Sequence, residues 1–349
     1  MDDAALLAEA LPVIADWYAR NRRPLPWRED PTAYHIWISE IMLQQTRIEA
    51  VLSYYRRFLE ELPDLEALAA VEEDRLLKLW EGLGYYSRAR NLKKAAGMVL
   101  SEYGGVLPRQ ARELKKLPGI GDYTAGAIAS IAYGEPAPAV DGNVLRVLTR
   151  LLARSDDIAD PKTKKCFTEL LSGCYPAGRQ AALVTEGLME LGETLCIPNG
   201  EARCGVCPLA GMCRARLAGT VDRYPVKAPP KARRIEEKTV FLLTHEGRCA
   251  LQKRPGTGLL AGMWEFPNWD GALSEAEALS RIAALGGQGE SPEPLGRTKH
   301  VFTHVEWHMT GWRVSCPQRP EGFVWVTPEQ LRDQYAIPTA FRYYLKKAL

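Results

Sequence analysis

Residues 117–143, LPGIGDYTAGAIASIAYGEPAPAVDGN, constrain this chain more than any other stretch. A tight turn, Leu117-Pro118-Gly119-Ile120-Gly121, runs into a small apolar helical segment and ends at Asp141, directly before the helical run VLRVLTRLL. A glycine turn at a helix start exposes N–H groups that lack intrahelical partners, so it is suited to hold an anion. Asp141 brings a carboxylate to the same end of this unit. A plainer reading makes the stretch a helix–turn–helix core element with Asp141 as an N-cap. The rest of the chain has to decide between them.

Residues 3–20 have helical apolar spacing, and the Pro-rich, basic NRRPLPWREDPTAYH that follows reads as an ordered loop. HIWISEIMLQQTRIEAVLSYYRRFLEEL reads as helix, with an apolar stripe through Ile38, Ile41, Met42, Ile48, Val51 and Leu52. Glu40 interrupts that stripe. It is either a solvated side chain or a buried acid whose raised pKa would let it donate a proton. Amphipathic helices follow at 65–80 and 86–100, joined by GLGYYSRAR. That joint is either a glycine-permitted turn or a surface whose rings stack on nucleobases beside arginines that meet phosphates. Further helices fit 161–173 and 179–193. Period-2 alternation is almost missing before residue 220, so this half is all-α.

A length of 349 residues suggests two domains, and 46% hydrophobic with 25% charged residues is ordinary for a soluble globular chain. No apolar run is long enough to span a bilayer, and Met1–Arg23 carries acids where a signal peptide needs bases. A cytoplasmic protein is the expectation. Net charge is −2 over residues 1–220 and +4 over 221–349, so any nucleic-acid contact must rest on local patches. Residues 221–237, with three prolines and five Lys/Arg, have linker composition. Beyond them KTVFLLTH, CALQKRP, MWEFP, TKHVFTHVEWHMTGWRV and GFVWVT read as strands, with helices at 274–284, 328–334 and near 340–349. The expected organisation is an all-α domain at 1–220, a linker at 221–237 and a separate α+β domain at 238–349, without internal repeats.

Eight cysteines in an intracellular chain are not expected to form a disulfide framework. Cys196, Cys204, Cys207 and Cys213, spaced C-x7-C-x2-C-x5-C, can enclose one metal centre, either zinc or a 4Fe–4S cluster. Arg203, Arg214 and Arg216 lie beside them and could present positive charge outward.

Together the LPGIG hairpin, Asp141 about twenty residues on and the four-cysteine loop resemble the helix-hairpin-helix DNA glycosylases. Within that superfamily the chain is most similar to the MutY family of adenine DNA glycosylases. WISEIMLQQTR, GLGYYSRARNL, LPGIGDYTAGAI and AVDGNVLRVLTR carry the likeness in the first half, and LQKRPGTGLLAGMWEFP and HVFTHVEW in the second. The resemblance implies an all-α helix-hairpin-helix fold with a metal-cluster loop, followed by an α+β MutT-like (Nudix-fold) domain. It also implies base-flipping excision of adenine mispaired with 8-oxoguanine or guanine in double-stranded DNA, by a monomer that binds no membrane.

Residue by residue, the resemblance makes Glu40 the general acid at adenine N7 and Asp141 the group that stabilises or traps the sugar cation, with Tyr123 beside them. Tyr123 stands where the endonuclease III branch has a Schiff-base lysine, so base release without strand cleavage is expected. Arg28 and Glu186 match the adenine pocket. Gln45 and Tyr85 match residues that fill and wedge the duplex, and Thr46 and Leu83 those that contact the oxidised guanine. Gly119 and Gly121 would meet a phosphate through their backbone. Cys196, Cys204, Cys207 and Cys213 would hold a 4Fe–4S cluster.

Phe302-Thr303-His304 stands for the family's Phe-Ser-His lesion loop. A Nudix box is missing, so nucleotide hydrolysis is not expected of the second domain. The first cysteine gap is one residue longer than usual, and Thr185 replaces a common asparagine. Three other readings compete. A catalytically silent DNA clamp would need no acid pair, a bifunctional pyrimidine-lesion glycosylase would need the lysine, and a nucleotide pyrophosphatase would need the Nudix box.

Overall fold

A computed structural model describes residues 2–229, 232–284 and 292–349. The chain divides into two compact units, one made of Met1–Ala70 with Asn91–Pro229 and the other of Val71–Arg90 with Pro230–Leu349.

The first unit is helical. Its core is built on helix Gly142–Leu152, in which every residue from Val144 to Leu152 is buried. Helices Asp3–Asn21 and Arg179–Thr194 pack together, and their apolar faces join this helix in one cluster around Leu7, Ile14, Leu148 and Leu188. Gly187 permits the close approach, because a Cβ there would sit 2.7 Å from Cγ2 of Ile14. Helix Ala33–Leu43, capped by Thr32, is buried at every position from Ile36 to Met42. A helix enclosed all round carries its one acid, Glu40, into the interior.

Three local expectations are corrected here. Residues 35–62 form two helices, Ala33–Leu43 and Ile48–Glu61, because Gln45 adopts φ 57° and a left-handed residue cannot continue an α-helix. The 65–80 stretch likewise splits into Leu65–Ala70 and Glu73–Leu79 around an extended Glu72. The Pro-rich loop holds a one-turn helix, Pro26–Glu29, with proline at the position where its missing N–H costs nothing.

Among the described residues of the second unit seven strands form one sheet: β1 Arg234–His245, β2 Arg248–Lys253, β3 Trp264–Glu265, β4 Asn268–Asp270, β5 Glu293–Val301, β6 Val305–Ser315 and β7 Val324–Val326. The order is β3-β2-β1-β6-β5, with β4 pairing β1 and β7 pairing β2. β1 runs parallel to β6 from Arg234↔Val305 to Thr244↔Ser315, and both its faces are covered. Val240 and Leu242 enter one core cluster, Phe241 and Leu243 the other, as the period of a strand requires. β5 and β6 form a hairpin closed at Phe302-Thr303-His304, where Phe302 N donates to Val305 O at 2.8 Å.

Alternation finds the strand cores but misses β4, the first four residues of β1 and the first five of β5. Segment Val71–Arg90 belongs to this unit through named bonds. Lys78 Nζ donates to Tyr335 O at 3.0 Å, Ile337 N to Glu81 Oε1 at 2.8 Å, and Arg90 Nη1 to Ala261 O at 2.7 Å. Among the described residues no helix is long and apolar enough to cross a membrane.

Candidate active site

A cavity of about 100 Å3 in the helical unit is lined by Arg28, Glu40, Thr46, Tyr123, Asp141 and Glu186, with Asn143, Met189, Glu190 and Glu193 also on its wall. Residues far apart in sequence meet here because five elements converge: the Pro26–Glu29 turn, helix Ala33–Leu43, the hairpin helix from Asp122, the cap of Gly142–Leu152, and helix Arg179–Thr194.

Glu40 is a buried acid, which settles the choice left open by its position in the apolar stripe. Burial pushes its carboxyl up to about 7; a hydrogen bond from Tyr123 opposes this, and the nearby Asp141 and Glu186 add to it. Its Oε2 is buried without a hydrogen-bond partner. An unsatisfied buried polar atom costs stability unless a ligand completes it. Burial also raises the Tyr123 hydroxyl well above its ordinary value, so it stays protonated as a donor.

Asp141 is the N-cap expected from sequence, and it also faces the cavity. Its Oδ1 accepts from Val144 N at 2.8 Å and its Oδ2 from Asn143 Nδ2 at 3.0 Å. Burial raises this carboxyl, while those bonds and the charge of Arg146 hold its anion. Arg146 in turn donates Nη2 to Asn143 Oδ1 at 2.8 Å and Nε to Cys196 O at 2.7 Å. Glu186 is likewise raised by burial, with Arg28 opposing.

The hairpin that opens the sequence argument lies in the same unit, outside this cavity. Gly119 has φ +81°, and a Cβ there would come within 2.8 Å of Asn91 Cβ, so only glycine makes the turn. Gly121 has ordinary backbone angles and nothing within 4 Å of an added Cβ; it begins the helix Asp122–Ala127 without a side-chain cap. Among the described residues no side chain caps the N–H groups there. Gln45, at the break between the two helices, is with Ala153 one of two described non-glycine residues of this unit in the left-handed region.

Leu83, Tyr85, Phe302, Thr303 and His304 lie in the other unit. Tyr85 has φ 47° and is half exposed, and its hydroxyl meets Thr303 Oγ1 at 2.8 Å. Phe302 is held by an edge contact with Trp307, ring centroids 4.9 Å apart, while Thr303 and His304 remain exposed at the turn. Leu83 is buried.

Cys196, Cys204, Cys207 and Cys213 line one cavity of about 30 Å3 together with Arg150 and Arg216. Arg150 Nη1 lies 3.3 Å from Cys196 Sγ, a donor that offsets thiolate charge. Among the described residues no three His, Cys, Asp or Glu close on a point as ligands of a single ion would. The four cysteines around one cavity, with a guanidinium on one of them, are the residues that would hold a metal centre.

Comparison with known proteins bears on all of this. Residues 38–173 match the HhH-GPD superfamily of base excision DNA repair proteins, and residues 239–347 match the NUDIX domain. Adenine DNA glycosylase from Homo sapiens is 33% identical over 94% of this chain and 72% of its own length. The chain belongs to the adenine DNA glycosylase family. The enzyme of that name from Buchnera aphidicola (Acyrthosiphon pisum) is 31% identical over 89% of this chain and 88% of its own. A non-covalent endonuclease III–DNA complex covers 63% of this chain and 99% of its own at a TM-score of 0.53 and 26% identity. Membership makes the chain a base-excision-repair enzyme that hydrolyses N-glycosidic bonds and binds DNA, with a helix-hairpin-helix half followed by a Nudix-fold half.

Sequence reasoning missed Asn143, Glu190 and Glu193 on the wall of this cavity, and Arg23, which bonds Glu190. A signal for two of them was present. Glu186, Glu190 and Glu193 recur at i, i+4 and i+7, which places them on one helix face. Arg23 and Asn143 carry no such mark.

Proposed function

We propose that this chain excises adenine paired with 8-oxoguanine or guanine and leaves the strand intact. The observation that supports this most is Glu40: a buried carboxyl pushed up to about 7, with one oxygen unpartnered in a cavity beside Asp141. Such an acid keeps its proton up to about pH 7 and is unsatisfied until a base arrives. Adenine must leave the stack to reach it, so the nucleotide is flipped. Arg28 and Glu186 hold the base. The Glu40 proton goes to N7, and the electron pair of the bond between N9 and C1′ leaves with adenine. Asp141, held as an anion by Val144 N and Asn143, stabilises the oxocarbenium-like sugar or traps it covalently. Water completes the hydrolysis and its proton returns to Glu40.

Tyr123 has no amine to form a Schiff base, so the reaction stops at the abasic site. Gly119 and Gly121 seat a phosphate, Gln45 and Tyr85 open the duplex, and Thr46 and Leu83 meet the oxidised guanine. Phe302, Thr303 and His304 present the lesion-reading turn. The four cysteines hold a 4Fe–4S cluster, which when bound cross-links the 196–213 loop.

Single-turnover incubation with a duplex carrying one adenine opposite 8-oxoguanine tests the proposal. Free adenine and an abasic strand that breaks only on alkali are expected. Retained adenine refutes the activity, and a strand cut without alkali refutes the monofunctional step alone.

A further inference from the structure

The basic loop NRRPLPWREDPTAYH and the three glutamates on helix Arg179–Thr194 meet in an arrangement of which the proposed reaction uses only Arg28 and Glu186. Glu190 is the most enclosed of the three, its side chain 2% exposed against 12% for Glu186 and 39% for Glu193. Its Oε2 accepts from Arg23 Nη2 at 2.9 Å and from Arg28 Nη2 at 2.8 Å, and its Oε1 accepts from Arg23 Nε. The remaining groups of Arg28 are placed by that pairing. Nη1 donates to Arg23 O at 3.2 Å, the guanidinium lies 5.3 Å from the centroid of the Tyr18 ring, and Nε stands 3.5 Å from Glu186 Oε1. Arg28 therefore pairs closely with Glu190 and only loosely with Glu186.

A buried carboxylate with two guanidiniums is a fixed anion, because removing either partner would leave a desolvated charge. Burial pushes the Glu190 carboxyl up, yet the bonds from Arg23 and Arg28 outweigh it and leave the group below its ordinary value. Glu186 shows the converse, raised by burial with Arg28 opposing only in part.

We propose that Glu190 is a positioning residue that acts through Arg28: by clamping Arg23 and Arg28 together it fixes the Arg28 guanidinium at the wall of the base pocket and withholds its charge from Glu186 and Glu40. The inference rests on the reading of Arg28 and Glu186 as the adenine pocket. It explains why the basic loop is ordered around a one-turn helix, and why the pocket's acid pair survives beside an arginine.

Other charged groups set the background. Tyr18 and Arg22 of the first helix and its end bear on Glu186. Tyr123 and Asp141 bear on Glu40 from the hairpin helix and the following cap. Arg146 bears on Asp141. Glu193, on the same helix as Glu190, shares Arg23 through Nη2. A change at Glu190 also removes its own charge from beside Glu186 and Tyr18 and loosens the Arg23 that Glu193 shares, so the response is assigned to Arg28 through the double variant.

The test is single-turnover adenine release between pH 5 and 9 for the wild type, Glu190→Gln, Glu190→Asp, Arg28→Gln and the Arg28→Gln/Glu190→Gln double variant, with thermal unfolding of each. Glu190→Gln frees the Arg28 charge towards Glu186 and Glu40. It should slow release about 100-fold, the scale of a misplaced pocket group, and move the alkaline limb to lower pH. Glu190→Asp keeps the charge with a shorter reach, so release should slow while the limb stays. The double variant should be no slower than Arg28→Gln. A uniform loss at every pH for Glu190→Gln, or losses that multiply in the double variant, overturns the inference. Wild-type rates in Glu190→Asp overturn it as well, which keeps the test decisive should Glu190→Gln not fold. Impaired release by Arg28→Gln with unchanged release by Glu190→Gln sinks the inference alone. Unimpaired release by Arg28→Gln removes the pocket reading, and the inference with it.

Discussion

The cavity around Glu40 and the turn at Thr303 are opposite kinds of surface. Glu40 is 6% exposed in a helix buried from Ile36 to Met42, and its neighbours are charged groups that hold one another. Thr303 and His304 are exposed at the tip of a hairpin, and Tyr85, whose hydroxyl meets Thr303, is 49% exposed. The difference fits the two tasks proposed for these residues. Donating a proton near neutral pH needs a carboxyl removed from water. Reading a base needs donors and acceptors that a duplex can reach, on a backbone rigid enough to fix them. Two of the described left-handed residues fall at positions proposed to meet the duplex: Gln45 at a helix break and Tyr85 before helix Ser87–Glu102.

If this contrast is right, changes in the cavity should abolish chemistry and changes at the turn should alter choice. Glu40→Gln should reduce base release by roughly 1,000-fold, within the range of general-acid loss, while duplex binding stays near wild type. Release at a wild-type rate would erase the distinction. The same variant should be more stable than the wild type at high pH. Glu40 is raised to about 7, so between its ordinary value and 7 the unfolded chain loses a proton that the folded chain keeps. Native stability therefore falls as pH rises through that window, by up to ~3 kcal/mol above pH 7. Denaturant unfolding of Glu40→Gln should show that gain at pH 8 and little of it at pH 4.

Iron analysis probes a third region. About four irons per chain are expected, with Cys207→Ala losing them and lowering the melting temperature. A single zinc ion per chain would replace the cluster with a mononuclear site.

Gln45→Gly sharpens the comparison from the other direction. Relieving the left-handed strain should raise stability by about 1 kcal/mol yet slow base release. Faster release would show that the Gln45 side chain has no part in opening the duplex. The smallest effect belongs to Thr303→Ala. Loss of one exposed hydroxyl, on the order of 1 kcal/mol, should cut the preference for 8-oxoguanine over guanine about 5-fold. The cut should exceed any fall in the rate itself, and an unchanged preference removes Thr303 from lesion reading.

Much of the first unit is legible in the residues because its signals are local. The Gly119 turn, the Asp141 cap and the grouping of four cysteines each depend on neighbours within twenty residues. Glu40 was ambiguous because a single acid in an apolar stripe does not say whether the far face is covered, and only the packing of other helices decides that. The break at Gln45 leaves no trace, since Gln-Gln-Thr-Arg holds neither glycine nor proline. Val71–Arg90 reads as part of the helical half by composition, and its bonds to Tyr335, Ile337 and Ala261 span more than 160 residues of sequence. Glu190 is the clearest case of what stays hidden: its role depends on which of three glutamates meets two arginines from another element.

The central claim is that a buried, protonated Glu40 carries the chemistry, and the pH dependence of single-turnover adenine release tests it most directly. Release should be maximal below about pH 7 and fall as the carboxyl ionises above it, with the limb missing from the residual activity of Glu40→Gln. A rate that stays level up to pH 9, or a limb that persists without the carboxyl, would contradict the account.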